Sequence, residues 1–306
     1  MVARAPPCTL AASLALWHVA AGASLLSLPD SRAVVSASRQ QLLSLRGGED
    51  SSNSDSDDNA DAAVEKRGLT RREIAAKLNE MPTFCVTNED GGVAMFRVRD
   101  DDGKFKSTVC FFLEPEEAKA SLQAMQDAMP NTKLKLTLIG LGAAFEHCRG
   151  WHSVAKSKLV ATAADADDDA AFLTSDPPPT TPNGEAIEMR IMGNHALVNA
   201  TSSAMTTMLD EHKITADGWT LPVFICNELQ SKSIYPAFLK PSDLKKTWVA
   251  AGRSEDSIPN DIMVVDLRLI ISQMRTDAND WTRLHLVPSE DAILLAQELQ
   301  GGSAPA

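Results

Sequence analysis

The alternation of hydrophobic and polar residues predicts strands and helices in a regular order over the last three-quarters of the chain. Leu134, Leu136 and Leu138 alternate with polar residues, which is the period of a strand with one buried face. Ile262 to Val265 is a continuous apolar run and predicts another strand. Elsewhere apolar residues recur in steps of four and three, which places them on one face of a helix. These residues are Ala118, Leu122 and Met125 in one segment and Leu244, Trp248 and Ala251 in another.

Two stretches of the chain repeat the same order of residues. One reads MPTFCVTNE from Met81, and the other reads LPVFICNE from Leu221. Each leads to a strand that ends in Phe-Leu, a charged residue and Pro. We expect Pro115 and Pro241 to open helices, because the N–H that proline lacks would be unbonded in the first turn of a helix anyway.

Both copies continue with a Pro-Asn turn, a strand and a short helix, and close with one more strand and helix. The short helices are predicted at Gly140 to Cys148 and Leu267 to Met274, the last strands at Glu188 to Met192 and Arg283 to Val287, and the last helices at Ala196 to Leu209 and Glu290 to Gln300. Thr70 to Glu73 forms a capping box before the first copy, and Met205 to His212 precedes the second. The first copy also has an extra strand, Val93 to Arg99, followed by a turn at Asp100 to Gly103.

One copy cannot readily shield both faces of its sheet. The sequence therefore predicts an α+β fold of two pseudo-repeated mixed β/α units that share a core about a pseudo-twofold axis, with a groove where they meet. The predicted units are residues 62–212 and 213–300, followed by a tail at 301–306. The first unit contains an acidic, Pro-rich insertion, Ala163 to Glu185, which is predicted to be a disordered linker.

The residues before the first unit predict a two-part leader. Residues 1–23 have a positive start, an apolar stretch and the cleavage pattern Ala21-Gly22-Ala23, which is typical of a signal peptide. Residues 24–61 are predicted to be transit-like and then disordered: Ser31 to Arg46 is basic, Ser-rich and free of acids, and Glu49 to Asp61 is acidic. Such a leader predicts import into a plastid with extra membranes and no transmembrane helix in the mature form. The alternative is a plain secreted protein with a disordered N-terminus.

Charge and motifs exclude several classes of function. The formal net charge of −12 argues against nucleic acid as a partner, since phosphates require a basic face. The sequence has no P-loop, dinucleotide-binding glycine motif or serine-hydrolase motif. His147-Cys148 with His152 is the nearest approach to a metal cluster, but it lacks a second spaced pair. We therefore predict no catalytic, cofactor-binding or metal-binding residues and no enzymatic activity.

The order of these motifs resembles that of the Tic twenty-two family, the soluble intermembrane-space component of the chloroplast inner-envelope protein translocon. The resemblance covers about Leu78 to Glu298. It rests on Pro82 to Asn88 with the following Gly pair, Phe111-Phe112 before Pro115, the Pro130 turn, Arg190 to Met192, Asn199, Leu221 to Phe224, and Leu286 to Pro288. These motifs are structural rather than catalytic, so their order along the chain matters more than any one of them.

The resemblance implies a chaperone-like protein that binds unfolded preproteins and plastid envelope translocon subunits in an intermembrane space, with peripheral membrane association allowed. Methionine-rich surfaces and exposed sheet edges suit varied clients. Six methionines are candidates by residue type: Met125, Met129, Met189, Met192, Met205 and Met208. Two alternatives stay open. One is a thiol-dependent redox enzyme or sensor that uses Cys85, Cys110, Cys148 or Cys226. The other is a structural scaffold of the envelope.

Overall fold

The computed structural model describes residues 67–99, 105–157, 179–181, 184–216 and 218–301, which form eight α-helices and nine β-strands. The helices are α1 (Arg71–Leu78), α2 (Pro115–Ala128), α3 (Leu141–His147), α4 (Gly150–Ala155), α5 (His195–Glu211), α6 (Pro241–Ala250), α7 (Leu267–Met274) and α8 (Glu290–Gly301). The strands are β1 (Pro82–Asn88), β2 (Phe96–Arg99), β3 (Phe105–Phe112), β4 (Leu134–Gly140), β5 (Glu188–Met192), β6 (Pro222–Ile225), β7 (Tyr235–Phe238), β8 (Met263–Asp266) and β9 (Leu284–Val287). The predicted leader lies outside these residues.

The strands of the first half form a five-stranded sheet, sheet 1. Its order is β2-β3-β1-β4, and β5 pairs with β3. Strand β1 is antiparallel to β3 and β4, whereas β5 is parallel to β3. The alternating pattern that predicted β4 follows the burial of its side chains. Leu134, Leu136 and Leu138 are buried, while Lys135, between the first two, is exposed.

The strands of the second half form a four-stranded sheet, sheet 2, in the order β8-β6-β7-β9. Strand β6 is antiparallel to β7 and β8, and β9 is parallel to β7. This is the order and direction of β4-β1-β3-β5 in sheet 1. The registers also agree, since Phe84 lies opposite Phe112 in sheet 1 and Phe224 lies opposite Phe238 in sheet 2.

Both sheets lead into their short helices through the same hydrogen bond. The backbone N–H of Leu141, the first residue of α3, donates to the carbonyl of Met81 at 2.9 Å. The N–H of Leu267, the first residue of α7, donates to the carbonyl of Leu221, also at 2.9 Å. The two Pro-x-Phe motifs identified in the sequence therefore open central strands in corresponding surroundings.

One hydrophobic cluster, here called the shared core, connects the two sheets. Its buried residues come from α1, β1, β3, β4, α3, α4 and β5 in the first half and from β6, β7, α7 and β9 in the second. Phe145 of α3 contacts Trp151 edge-on, with ring centroids 5.2 Å apart, and contacts Trp219 of the second half at 6.1 Å. Aromatic pairs in this geometry add to the stabilisation that comes from burial alone. The inner faces of both sheets thus pack into the same interior.

The outer face of each sheet contacts helices from both halves of the chain. On sheet 1, Phe84 packs with Met125 of α2 and with Leu295 of α8. On sheet 2, Phe224 packs in a cluster with α6 and is joined by Leu197 of α5. Helix α5 also contacts β6 and β8, as α8 contacts β1 and β4. Each half therefore places its last helix against the sheet of the other half.

A buried ion pair lies where β8 meets α7. The side chains of Asp266 and Arg268 are both 0% exposed, and Arg268 Nε donates to Asp266 Oδ1 at 3.0 Å. Asp266 also caps α7 by accepting from the backbone N–H of Arg268 at 2.9 Å. Its other oxygen accepts from the N–H of Leu221 at 3.0 Å. Because a buried charge is costly unless it is paired and fully hydrogen-bonded, this geometry is what makes the burial tolerable.

Arg268 also supports the segment that leads into β6. It donates to the carbonyls of Thr215 at 2.8 Å, of Ala216 at 2.6 Å and of Trp219. Its guanidinium carbon lies 4.1 Å from the centroid of the Trp219 ring, a distance that allows a cation–π interaction. These contacts satisfy carbonyl groups that no helix or strand satisfies in this connection.

Two glycines let α3 lie directly against α1. A Cβ atom on Gly142 would lie 2.5 Å from the carbonyl oxygen of Ala75, and one on Gly140 would collide with the Asn79 side chain. The side-chain oxygen Oδ1 of Asn79 accepts from the backbone N–H of Ala143 at 3.1 Å, which fixes the contact. Gly140 and Gly142 are therefore helix-packing residues.

The strand predicted at Val93 to Arg99 is too long. Strand β2 begins at Phe96, and Val93 makes only an isolated bridge to Thr87. The reason lies just before it, where the Asn88 side chain accepts from the N–H of Gly92 at 2.7 Å and holds a turn. The turn predicted after β2 lies outside the described residues.

Three further boundaries were wrong. Met205 to His212, which was placed before the second copy as the counterpart of the helix that Thr70 caps, is not a separate element: it is the C-terminal part of α5 and its C-cap. Ala251 is exposed at the end of α6, so it does not extend the buried stripe. The end of the predicted disordered insertion is structured, since Thr180 bridges Ala186. Most of the rest of that insertion lies outside the described residues.

Arg268→Ala is expected to lower the free energy of unfolding by about 3–5 kcal/mol, because Asp266 would remain buried and unpaired. The measurement is urea unfolding of the full chain followed by circular dichroism. Lys245→Ala is the control, because Lys245 forms an exposed pair with Glu255, and such pairs contribute about 0–1 kcal/mol. Equal unfolding midpoints for the two variants would contradict the assigned role.

Gly142→Ala is expected to lower the free energy of unfolding by about 1–3 kcal/mol, because the new methyl group forces α1 and α3 apart. Gly301→Ala is the matched control, since a Cβ atom there meets nothing within 4 Å. The same denaturation experiment measures both variants. A Gly142 variant as stable as the Gly301 variant would show that the two helices do not need this close approach.

Candidate functional site

A cavity of about 740 Å³ opens beside the start of β3 in sheet 1. Fourteen described residues line it: Phe105, Lys106, Ser107, His147, Cys148, Arg149, His152, Lys156, Pro179, Glu185, Ala186, Ile187, Glu188 and Met189. They come from the start of β3, from the stretch between the end of α3 and the C-cap of α4, and from the segment that enters β5 and its first residues. Ligand-binding cavities in proteins are typically about 300–1,000 Å³, so its size suits a small organic molecule.

The turn between α3 and α4 places the basic wall of the cavity. Arg149 has a left-handed backbone conformation with φ of 56°, which is unusual for a residue other than glycine. Its neighbour Gly150 packs so closely on the Phe145 ring that a side chain there would collide with the ring. The shared core thus holds this turn in place and directs the chain from α3 into α4.

The floor of the cavity is apolar and continuous with the shared core. Cys148 and Ile187 are buried, and the His147 ring stacks on Phe111 with ring centroids 6.0 Å apart. Burial lowers the pKa of His147, because the charged imidazolium loses hydration. Phe105, at the start of β3, is 47% exposed. An organic ligand would therefore find apolar surface inside and beside the cavity.

The charged lining is predominantly positive. Lys106, Arg149 and Lys156 line the cavity together with two acidic residues, Glu185 and Glu188. Glu188 is engaged, since Arg190 donates to it at 2.9 Å. Among the described residues, neither Arg149 nor Lys156 has a carboxylate within salt-bridge distance. The cavity is thus a cationic region on a chain whose formal net charge is −12.

The three residues nearest to a metal cluster in the sequence, His147, Cys148 and His152, all line this cavity. Burial raises the pKa of the Cys148 thiol well above its ordinary value. A metal ligand must be the thiolate, so Cys148 is poorly suited to that role. In the part of the chain that the structure describes, no group of three His, Cys, Asp or Glu residues is arranged to hold a metal ion.

The six candidate methionines do not form one surface. Met125 and Met205 are buried, so their role is packing. Met129 and Met192 pack at the edge of the outer cluster of sheet 1, and Met208 packs near the end of α5. Met189 alone among the six lines the cavity. The sequence could not separate these roles, because the sequence neighbours of a methionine do not state which face of a sheet or helix it occupies in the fold.

The four described cysteines are all free and buried. Burial raises the pKa of Cys85 and of Cys110 to about 12, and it also raises the pKa of Cys226. In the two repeated stretches, MPTFCVTNE and LPVFICNE, Cys85 and Cys226 fall near equivalent positions. The registers show an offset of one residue, because Phe84 corresponds to Phe224. Cys85 therefore faces the shared core, whereas Cys226 faces the outer cluster of sheet 2.

The charged residues of the two Phe-Leu-x-Pro motifs contact each other. Glu114 is the N-cap residue of α2, Lys240 is the N-cap residue of α6, and their side chains form an ion pair. Burial raises the pKa of Glu114, and Lys240 opposes that shift. Sequence analysis identified both motifs but did not predict their contact. The signal in the sequence that could have indicated this contact is that the same motif position holds an acidic residue in one copy and a basic residue in the other.

Further acidic residues surround this ion pair at the ends of three helices. Glu117 follows in the first turn of α2, Asp243 lies in the first turn of α6, and Glu290 and Asp291 begin α8. Burial raises the pKa of Asp243, with Lys240 opposing it and the two α8 acids adding to it. We call these four residues the acidic cluster. The N–H of His195 in α5 also donates to Glu117, at 3.0 Å.

No family model matches the sequence, and no curated protein matches it significantly. Solved structures similar to this chain include Tic22 from Plasmodium falciparum, with 16% identity and a TM-score of 0.47 over 76% of this chain and 99% of that one. Anabaena Tic22, described as a protein-transport structure, has 17% identity and a TM-score of 0.44 over 78% of this chain and 100% of that one. Both bear the name of the family that the motifs resemble.

Native thiols are expected to react slowly with a maleimide at neutral pH, because reactivity follows the thiolate fraction and burial keeps these four thiols protonated. Unfolding in denaturant should make them react at the rate of an ordinary cysteine. Mass spectrometry of the labelled peptides gives the rate at each position. Rapid native labelling of Cys85, Cys110, Cys148 or Cys226 would restore the thiol-enzyme alternative.

Proposed function

We propose that this chain is a non-enzymatic, chaperone-like component of plastid protein import that binds unfolded preproteins between envelope membranes. It consists of two copies of one unit, residues 62–212 and 213–300, related by a pseudo-twofold axis. Its partners are preproteins in transit and subunits of the envelope translocon. The leader composition supports the plastid location, and the order of the sequence motifs supports the family.

The placement of the two Phe-Leu-x-Pro motifs is the observation that carries this proposal. The motifs end corresponding strands, β3 and β7, and begin corresponding helices, α2 and α6. Glu114 and Lys240 then pair with each other, as two equivalent positions do when they lie beside a twofold axis. If the two motifs had lain in strands and helices that do not correspond, the resemblance of the sequence to the Tic twenty-two family would have lost its basis.

The acidic cluster provides a physical reason for binding preproteins. Targeting segments for plastids are basic and Ser-rich, so a surface with opposite charge increases their rate of encounter. Leu294 lies one helical turn after Glu290 and is 57% exposed. Residues four apart share a helix face, which places apolar surface beside the acids. A basic segment that also carries apolar side chains can contact the acidic cluster with its charges and Leu294 with its apolar groups.

The two alternatives from the sequence are distinguishable. A thiol-dependent mechanism is disfavoured because burial raises the pKa of every described cysteine. A structural scaffold would crosslink in organelles to membrane translocon subunits alone, whereas the proposed binding protein would also crosslink to precursors during import.

A stoichiometric amount of the protein is expected to suppress most of the light scattering from an unfolded precursor that carries a basic transit peptide, without added ATP. Glu290→Lys combined with Asp291→Lys should weaken this suppression, and added salt should weaken the suppression by the unmodified protein, because salt screens exposed charges. Glu298→Lys is the control, since Glu298 is exposed on the same helix but lies outside the acidic cluster.

Two results would count against the proposal. Undiminished scattering at a stoichiometric amount would argue against client binding altogether. Equal loss of suppression in the Glu298 variant and in the double variant would assign the effect to net charge and not to the acidic cluster.

A further inference from the structure

The cavity beside β3 is unsuited to the basic clients of the proposed function. Arg149 and Lys156, two of its three basic side chains, have no carboxylate within salt-bridge distance among the described residues, and they would repel the basic groups of a transit peptide. The lining also contains Glu185 and Glu188, but Glu188 is paired with Arg190, so the net charge of the lining favours an occupant with negative charge. This holds whether or not the proposed function is correct, since it depends only on the lining.

We propose that this cavity binds a phosphate ester. Phosphate is recognised by arginine through paired hydrogen bonds and by lysine as a point charge, and both side chains are present here. The volume of about 740 Å³ exceeds what an inorganic ion fills, so the ester carries an organic part. That part contacts Phe105 and Met189, while the phosphate lies against Arg149 and Lys156.

The side chain of Arg149, unpaired among the described residues, supports a ligand role for this residue. A left-handed backbone at a residue other than glycine costs about 1–2 kcal/mol, and glycine would adopt it without strain. The turn nevertheless carries an arginine, and that arginine has no ion-pair partner among the described residues. Because Lys213 has the same backbone conformation away from the cavity, the support for a ligand role comes from the unpaired guanidinium and not from the backbone.

The phosphate ester has two possible sources, a soluble metabolite and the headgroup of an anionic phospholipid. Glycerol phosphate serves as the soluble probe in isothermal titration calorimetry. Vesicles of phosphatidylglycerol serve as the lipid probe in a sedimentation assay, with phosphatidylcholine vesicles as the uncharged reference. Binding of both phosphate probes identifies the phosphate group alone as the recognised part, and binding of phosphatidylglycerol alone identifies a lipid site.

Arg149→Gly tests the site without endangering the fold, because it removes the charge and relieves the backbone. Affinity for the bound probe is expected to fall about tenfold, the loss of one charge-assisted contact. Lys156→Gln should produce a similar fall. Lys213→Gly is the matched control: Lys213 also has a positive φ, of 60°, but it does not line the cavity. Its affinity should be unchanged.

Several outcomes would overturn the proposal. These are failure of the unmodified protein to bind either phosphate probe, equal binding to phosphatidylcholine, and unchanged affinity in the Arg149 variant. An equal loss in the Lys213 variant would also overturn it, because the effect would then follow net charge. Thermal unfolding of each variant confirms that the protein under test is folded.

Discussion

Neither sheet can bury both of its faces with the helices of its own half, and the rest of the structure follows from that constraint. The inner faces meet in the shared core, where Phe145 of the first half contacts Trp219 of the second. The outer face of sheet 1 also needs Leu295, which arrives on the last helix of the chain. An isolated half would expose apolar surface on both sides of its sheet. The two halves are therefore expected to fold as one body, because burial of apolar area is the main favourable contribution to folding.

The two sheets differ in the chemistry that holds the junction between their edge strand, β4 or β8, and the short helix that follows it. The registers place Gly140 and Asp266 at corresponding ends of their strands, opposite Pro82 and Pro222 respectively. In sheet 1 the regular helix α1 precedes β1, and its backbone groups are hydrogen-bonded within the helix. The junction therefore needs only small residues, Gly140 and Gly142, that let α3 pack closely against α1. In sheet 2 the segment before β6 is irregular: the Ala216 carbonyl accepts from the N–H of Trp219 within it, and further donors come from elsewhere. Arg268 supplies them, and Asp266 neutralises the charge that this brings into the interior.

Local sequence patterns predicted most of the elements, because the signals for these elements are themselves local. The alternation around Leu136, the proline at position 115 and the capping box at Thr70 each depend on neighbours within a turn or a strand. The cavity was missed, although Arg149-Gly150 does mark a break between two helices. Its walls come from three separate segments, and nothing in a local pattern states which segments converge. The Glu114–Lys240 pair was missed for the same reason, since its partners are far apart in the chain and only the fold brings them together.

Charge separates the surface of this protein into regions that suit different partners. The formal net charge is negative, and the acidic cluster concentrates carboxylates where helix N-termini stabilise them. The cationic cavity lies beside the start of β3, whereas Glu114 and the acidic cluster follow the end of that strand. A basic peptide and a phosphate ester would therefore not compete for one surface. If both bind, the protein can hold a client while it is associated with a second, anionic partner, and neither association requires the other to be released.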